Sequence, residues 1–167
     1  MRIRPATTDD LPAITAIYND AIVRTVASFW TEPRPESEMR GLFDASGNHP
    51  WLVAIGGDND EAVAGFAYAL RWNPRQGYDG VAETVVYVAE SARGRGVGRL
   101  LYGELFRLLC ERGFLHAVAR VAVPNAASEL LHESMGMRRV GVYEKIGFKH
   151  GREIDVADYH ADLRARM

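Results

Sequence analysis

Residues 83–105 read ETVVYVAESARGRGVGRLLYGEL, and the fold depends on how that stretch is parsed. Its opening, Thr84 to Val88, is β-branched and aromatic, the composition of a strand. From Val97 onward, Val97, Leu100, Leu101, Leu105, Leu108 and Leu109 fall on one face of a helix, and Gly113 is its natural stop. Between strand and helix lie Arg93, Gly94, Arg95, Gly96, Gly98 and Arg99. Glycine here costs backbone entropy, but it lets successive N–H groups point inward at a helix start. There the helix dipole adds partial positive charge and the arginines add full charges. The arrangement suits a diphosphate. R-x-x-G-x-G taken alone fits a solvated turn equally well. No Gly-Lys-Ser/Thr follows, which excludes a Walker-type loop. A dinucleotide fingerprint belongs after the first strand of a βαβ unit, whereas this turn sits mid-chain.

The flanking segments supply the context. MRIRPA is a short strand, and TTDDLPAITAIYNDAIV is a helix capped by Thr7 or Thr8, with Asp9, Asp10 and Pro12 near its start. Two prolines interrupt the chain before a short helix from about Glu36. WLVAI and EAVAGFAYAL form a hairpin about the turn GGDND. The loop RWNPRQGYDG then leads into AETVVYVAE. HAVARVAV is a further strand, NAASELLHESMG a short helix ending at Gly136, and two closing strands meet at a turn on His150 and Gly151. The predicted order is β-α-α-β-β-β-α-β-α-β-β: an α+β fold with a central mixed, mostly antiparallel sheet flanked by helices, as one domain over residues 1–167.

Composition narrows the function classes. The formal net charge is −2, against the basic excess usual in nucleic-acid-binding domains. The one cysteine, Cys110, rules out an internal disulfide or a cysteine-based zinc cluster, and mid-helix beside Leu108 and Leu109 it has a core or helix-surface role. The five histidines (His49, His116, His132, His150, His160) show no close pairing along the sequence, so no metal site is expected. No apolar run reaches the length of a membrane span, and the N-terminus lacks a signal-peptide core. A cytoplasmic protein binding neither nucleic acid nor membrane is the expectation.

The opening IRPATTDDLPAI, the strand TVVYV, the turn RGRGVG and PNAASELLHESMGM together resemble the GNAT superfamily of acyl-CoA-dependent N-acyltransferases, over nearly the whole chain. FWTEP, PWLVA, AGFAYA, RWNPRQGYDGVAETVVYV, LHESMG and FKHG, in that order, are similar to the phosphinothricin and methionine sulfone/sulfoximine acetyltransferases. The resemblance implies acetyl-CoA as co-substrate and a small-molecule amine as acceptor. It implies pantetheine contacts at Val86, Tyr87 and Val88, and a pyrophosphate cradle of Arg93, Gly94, Arg95, Gly96, Val97, Gly98 and Arg99. It also implies cofactor contacts at Asn125 and Ser134, and makes a homodimer plausible.

The chemistry makes further demands. Only a neutral amine attacks a thioester, so a proton acceptor is needed. The resemblance gives that role to Glu83; a solvent-facing edge glutamate is the alternative. Backbone N–H groups near Val86 would stabilise the oxyanion. His132 stands where many GNAT enzymes carry a tyrosine acid, and either donates to the leaving thiolate or is a helix-surface histidine. For an amino-acid acceptor, Arg75 with Tyr78 would clamp the carboxylate, and Trp72 and Phe29 would wall the pocket. Arg71 is a weaker addition, and Lys149 and His150 fit a turn role as well as a site role. Arg152, Glu153 and Trp30 depart from the subfamily pattern. Two other readings stay open: acetylation of protein N-termini or polyamines, and a non-catalytic acyl-CoA sensor.

Overall fold

A computed structural model describes residues 1–56 and 62–166. Strand β1 (Arg2–Pro5) is followed by helices α1 (Leu11–Arg24) and α2 (Glu36–Asp44), then β2 (Trp51–Ile55), β3 (Val63–Arg71) and β4 (Val81–Val88). Helix α3 (Val97–Glu111), β5 (His116–Val123), α4 (Ala126–Ser134), β6 (Arg138–Lys149) and β7 (Arg152–Asp162) complete the chain. This is the order expected from the sequence. Most of the proposed GGDND turn lies outside the described residues, but the β2–β3 pairing it was to join is antiparallel as expected. His150 and Gly151 both have positive φ, the two-residue turn that matches the twist of a hairpin.

The seven strands form one sheet in the order β1-β2-β3-β4-β5-β7-β6. All neighbours are antiparallel except β4 and β5. A strand returning in parallel needs a crossover, and α3 supplies it. Helix α3 lies on one face, with Leu101, Leu105, Phe106 and Leu109 against Ala67, Ala69, Ala82, Ala117 and Ala119 of three successive strands. Small side chains on the sheet let the helix's large ones approach closely. On the other face, Leu11 and Ile14 of α1 and Met39 of α2 pack on Trp51, Val53, Phe66 and Tyr68.

The start of α1 is anchored by charge. The Arg4 guanidinium donates twice to the buried Asp10 carboxylate, at 2.7 Å each, and the Thr7 amide donates to the same group. These bonds hold the Asp10 carboxyl below its usual range, the Arg4 side chain contributing most.

Candidate active site

The sheet opens along β4. β4 keeps β3 as partner as far as Val88, but its pairing with β5 ends at Glu83 opposite Val118. Thr84 Oγ1 bridges the point of divergence by donating to the Val118 carbonyl at 3.1 Å. From there to Val88 the β5-side edge of β4 has no strand partner among the described residues. An unpaired edge of backbone N–H and C=O groups is a template for an extended ligand. Val86 and Val88 face the α3 core, whereas Tyr87 packs on the α1 side.

Beyond that edge comes the glycine turn. Gly94 (φ 74°) and Gly96 (φ 77°) both adopt the left-handed conformation that glycine takes without strain, and Gly96 caps α3. The first N–H groups of α3 have no intrahelical acceptor, the arrangement that suits an anion at a helix start. Gly98 serves another purpose: it lies inside α3, where a Cβ would come within 3.0 Å of Leu131 of α4. Its absence of side chain brings α3 and α4 together. Arg93 Nε donates to the Val88 carbonyl at 3.3 Å, tying the turn to the strand. A cavity of about 790 Å³ adjoins the turn, lined by Arg95, Gly96, Arg99, Ser134, Gly136 and Arg166 among others. Asn125 caps α4, accepting from the Ser128 amide at 3.3 Å, and is not among that cavity's lining residues.

Taken together, the open edge, the two left-handed glycines and the arginine-lined cavity fit a long, diphosphate-bearing thioester such as acetyl-CoA. The edge would pair with the pantetheine arm, the α3 N-terminus would hold the pyrophosphate, and the cavity would hold the nucleotide end.

Glu83 lies at the root of the open edge. Ala82 and Thr84 on either side are buried toward α3, so Glu83 faces the opposite side of the sheet. Its carboxylate has no hydrogen-bond or ion-pair partner among the described residues. Burial pushes its pKa up, Arg120 pulls it back and Asp158 adds to the rise. A half-buried carboxyl held above its ordinary value is suited to take a proton from an ammonium group near neutral pH.

His132 requires a correction. It is neither on the helix surface nor in a position to donate. The ring is buried, Nδ1 lies 2.6 Å from the Ser128 carbonyl, and Nε2 lies 3.0 Å from the Tyr102 hydroxyl. A carbonyl only accepts, so Nδ1 carries the proton and Nε2 accepts from Tyr102. Burial lowers the ring's pKa against the smaller opposing effect of the Ser128 hydrogen bond, keeping it neutral. The one N–H is committed to backbone. A second correction concerns histidine pairing. His116 Nδ1 and His160 Nε2 are 3.1 Å apart, brought together by the β5–β7 register, although no group of three metal-ligating side chains occurs among the described residues.

On the acceptor side, Trp72 and Tyr78 meet edge to face at 4.9 Å in the loop before β4. The Arg75 guanidinium has no partner among the described residues, whereas Arg71 is committed to Asp79 at 2.6 Å. Phe29 rests on Gly147 of β6 so closely that a Cβ there would lie 2.1 Å from its ring. The surrounding segment is gripped from two strands. The Tyr87 hydroxyl donates to the Ala27 carbonyl at 3.1 Å, and Lys149 Nζ donates to the Ile22 and Ser28 carbonyls at 2.6 Å each. Lys149 thus lies in the core, 3% exposed, rather than in the turn. Its partners are about 120 residues away, so nothing local in the sequence signals this role. Arg120, which the sequence reading passed over, did carry a signal: it is the lone charge in the apolar alternation of HAVARVAV.

Known proteins resemble the chain over most of its length. Residues 19–137 match the acetyltransferase (GNAT) family. The chain is 36% identical over 165 residues to a phosphinothricin N-acetyltransferase of Streptomyces coelicolor, covering 98% of this chain and 96% of that protein. It is 34% identical over 161 residues to an L-methionine sulfoximine/L-methionine sulfone acetyltransferase of Pseudomonas paraeruginosa, covering 96% and 94%. The crystal structure of a GNAT superfamily phosphinothricin acetyltransferase from Sinorhizobium meliloti in complex with acetyl-CoA superposes with a TM-score of 0.93 at 34% identity, covering 97% of this chain and 88% of that one.

Proposed function

The chain belongs to the acetyltransferase (GNAT) family and is an acetyl-CoA-dependent N-acetyltransferase; from that premise we propose that its acceptor is the α-amine of a small amino-acid analogue of the phosphinothricin or methionine sulfone/sulfoximine type. In this reading residues 1–167 act as one domain, in the cytoplasm, and transfer is direct, within a ternary complex. The observation that carries it is the position of Glu83 at the foot of the open β4 edge. A thioester laid along that edge would bring its acetyl carbon beside Glu83, whose carboxylate has no hydrogen-bond or ion-pair partner among the described residues.

The residues divide the work as follows. Glu83 accepts the ammonium proton, and N–H groups of β4 near Val86 face the charge developing on the acetyl oxygen. The neutral amine nitrogen bonds to the acetyl carbon as the carbon–sulfur bond breaks. His132 holds the Tyr102 hydroxyl and the α3–α4 contact, and the thiolate takes the proton shed by the acylated nitrogen. Arg75 and Tyr78 receive the α-carboxylate, with Trp72 and Phe29 as apolar walls. Arg75→Ala is expected to raise the acceptor KM roughly tenfold or more, as for loss of a charge-assisted hydrogen bond, with the acetyl-CoA KM unchanged. An unmoved acceptor KM removes Arg75 from the pocket.

The deciding experiment is CoA release with a panel of amines: phosphinothricin, methionine sulfone, methionine sulfoximine, common amino acids, spermidine and an N-terminal peptide. A Cys110→Ser variant serves as control for thiol-reactive dye. Selective turnover of the first three supports the proposal. Turnover of spermidine or peptide alone overturns it, and acetyl-CoA binding without turnover of any amine points to a sensor.

A homodimer completes the reading. β6 is an edge strand paired only with β7, and it exposes Val140, Val142, Tyr143, Ile146 and Phe148, the last two 62% and 68% accessible. A long apolar edge in water calls for a partner, and a second copy related by a two-fold axis presents the same edge. Sedimentation equilibrium is expected to give twice the 18.5 kDa chain mass, reduced to one chain by Ile146→Glu. A wild-type monomer overturns the assignment.

A further inference from the structure

Three charged side chains share the sheet face opposite α3. In β5, Ala119 and Val121 are buried in the α3 core, and in β7 Ala157 and Tyr159 are buried in the same core. Strand alternation therefore turns Arg120 and Asp158 to the other face, the one that carries Glu83. The two are register partners, and Arg120 Nε lies 3.6 Å from Asp158 Oδ1. Arg120 stands two residues beyond Val118, which pairs with Glu83 at the last rung before the strands part. That places it about 7 Å further along the strand, at the mouth of the opening.

As a structural ion pair this one is weak. It is long, with no hydrogen bond, and its arginine side chain is 57% exposed, the situation in which ion pairs contribute little to stability. The guanidinium makes no hydrogen bond to any described residue, so the pair with Asp158 leaves its donors available at the opening. Along β4, Glu83 lies between the loop that carries Arg75 and the rung beyond which Arg120 stands. An amino acid has one ammonium and one carboxylate, and Glu83 and Arg75 match those. The second arginine matches a second anion.

We propose that Arg120, steadied by Asp158, is a specificity-determining residue of the acceptor site that receives an anionic group at the end of the acceptor's side chain. The enzyme then favours amino acids ending in a phosphinate or carboxylate over those ending in a neutral sulfone. The proposal rests on the reading of Glu83 as the amine-side base.

The test compares kcat/KM for phosphinothricin, whose side chain is anionic, with that for methionine sulfone, whose side chain is neutral, in the wild type, Arg120→Met and Arg120→Lys. Arg120→Met is expected to lose roughly 10- to 100-fold on phosphinothricin, mainly through KM, and less than about threefold on the sulfone. Arg120→Lys should recover part of the loss. Equal changes on both acceptors overturn the proposal. A second readout needs no turnover: the carboxyl ¹³C titration of Glu83 in the unliganded protein. Tyr68 of β3 and Tyr102 of α3 stay neutral across the range because burial raises both, and His116 and His160, set on the same face by the β5–β7 register, are present in every variant, so the comparison isolates Arg120 and Asp158. Removing Arg120 should move the Glu83 midpoint up, and Asp158→Ala should move it down. If neither moves it, the pair lies outside the site and the proposal falls. If wild-type enzyme acetylates neither compound while the titration shifts as expected, the acceptor assignment above fails and the pair remains in the site.

Discussion

Replacing Glu83 by glutamine is expected to lower kcat by about two to four orders of magnitude, the range associated with removing a positioned general base, while the Kd for acetyl-CoA stays the same. Glutamine keeps the size and hydrogen-bonding capacity of the side chain but cannot hold a proton taken from an ammonium. The proposed cofactor-binding elements, the β4 edge and the α3 N-terminus, are backbone and are untouched by the change. The pH profile supplies an independent check. Burial raises the Glu83 pKa, so the carboxylate accumulates only as pH climbs through a value above the ordinary glutamate range. Wild-type kcat/KM should therefore fall on the acid side at a higher pH than an exposed glutamate would give. The residual activity of Glu83→Gln should lack that limb. Parallel loss of activity and acetyl-CoA affinity would show that Glu83 shapes the cofactor site rather than serving the amine.

The periodicities that announced the elements were local, and they were reliable because each element buries one face. Period-two alternation in HAVARVAV and the helical spacing of Val97, Leu101, Leu105 and Leu109 both report which side meets the core. The turn was legible for the same reason, since positive φ at Gly94 and Gly96 needs glycine itself. Legibility ended where a role depends on a distant partner. Gly98 looks like a third turn glycine, but its reason is Leu131 in another helix. His132 looks like a surface residue of a short helix until α3 sets Tyr102 against it. The parting of β4 from β5 after Glu83 is a property of two strands whose divergence neither sequence encodes alone.

The proposed acceptor site lies, by the same logic, at a seam between distant segments. The segment Thr25–Trp30 follows α1, and it is held by Tyr87 from β4 and by Lys149 from β6, strands separated in the sheet by β5 and β7. It therefore spans the region over which the sheet opens, and Phe29 reaches Gly147 on the far side. A pocket wall built this way has its position set by its two anchors rather than by its own sequence.

Lys149→Met is accordingly expected to cost about 2–4 kcal/mol of stability, since two buried carbonyls lose their donor at about 1–3 kcal/mol each and the methionine regains part of that through apolar packing. For a chain of this size the melting temperature should fall by roughly 5–15 °C. The loss is large because the ammonium does two things at once. It satisfies the Ile22 carbonyl in the last turn of α1, where no intrahelical N–H remains to do so, and it fixes the Ser28 carbonyl one residue before Phe29. The kinetic consequence separates this role from general destabilisation. Measured well below the melting transition, the variant should show a raised acceptor KM, because Phe29 is no longer held on Gly147, while the acetyl-CoA KM stays put, because β4 and α3 are anchored elsewhere. Equal increases in both constants would mean that Lys149 supports the fold as a whole and not the acceptor wall. An unchanged melting temperature would mean that the two carbonyls find other donors.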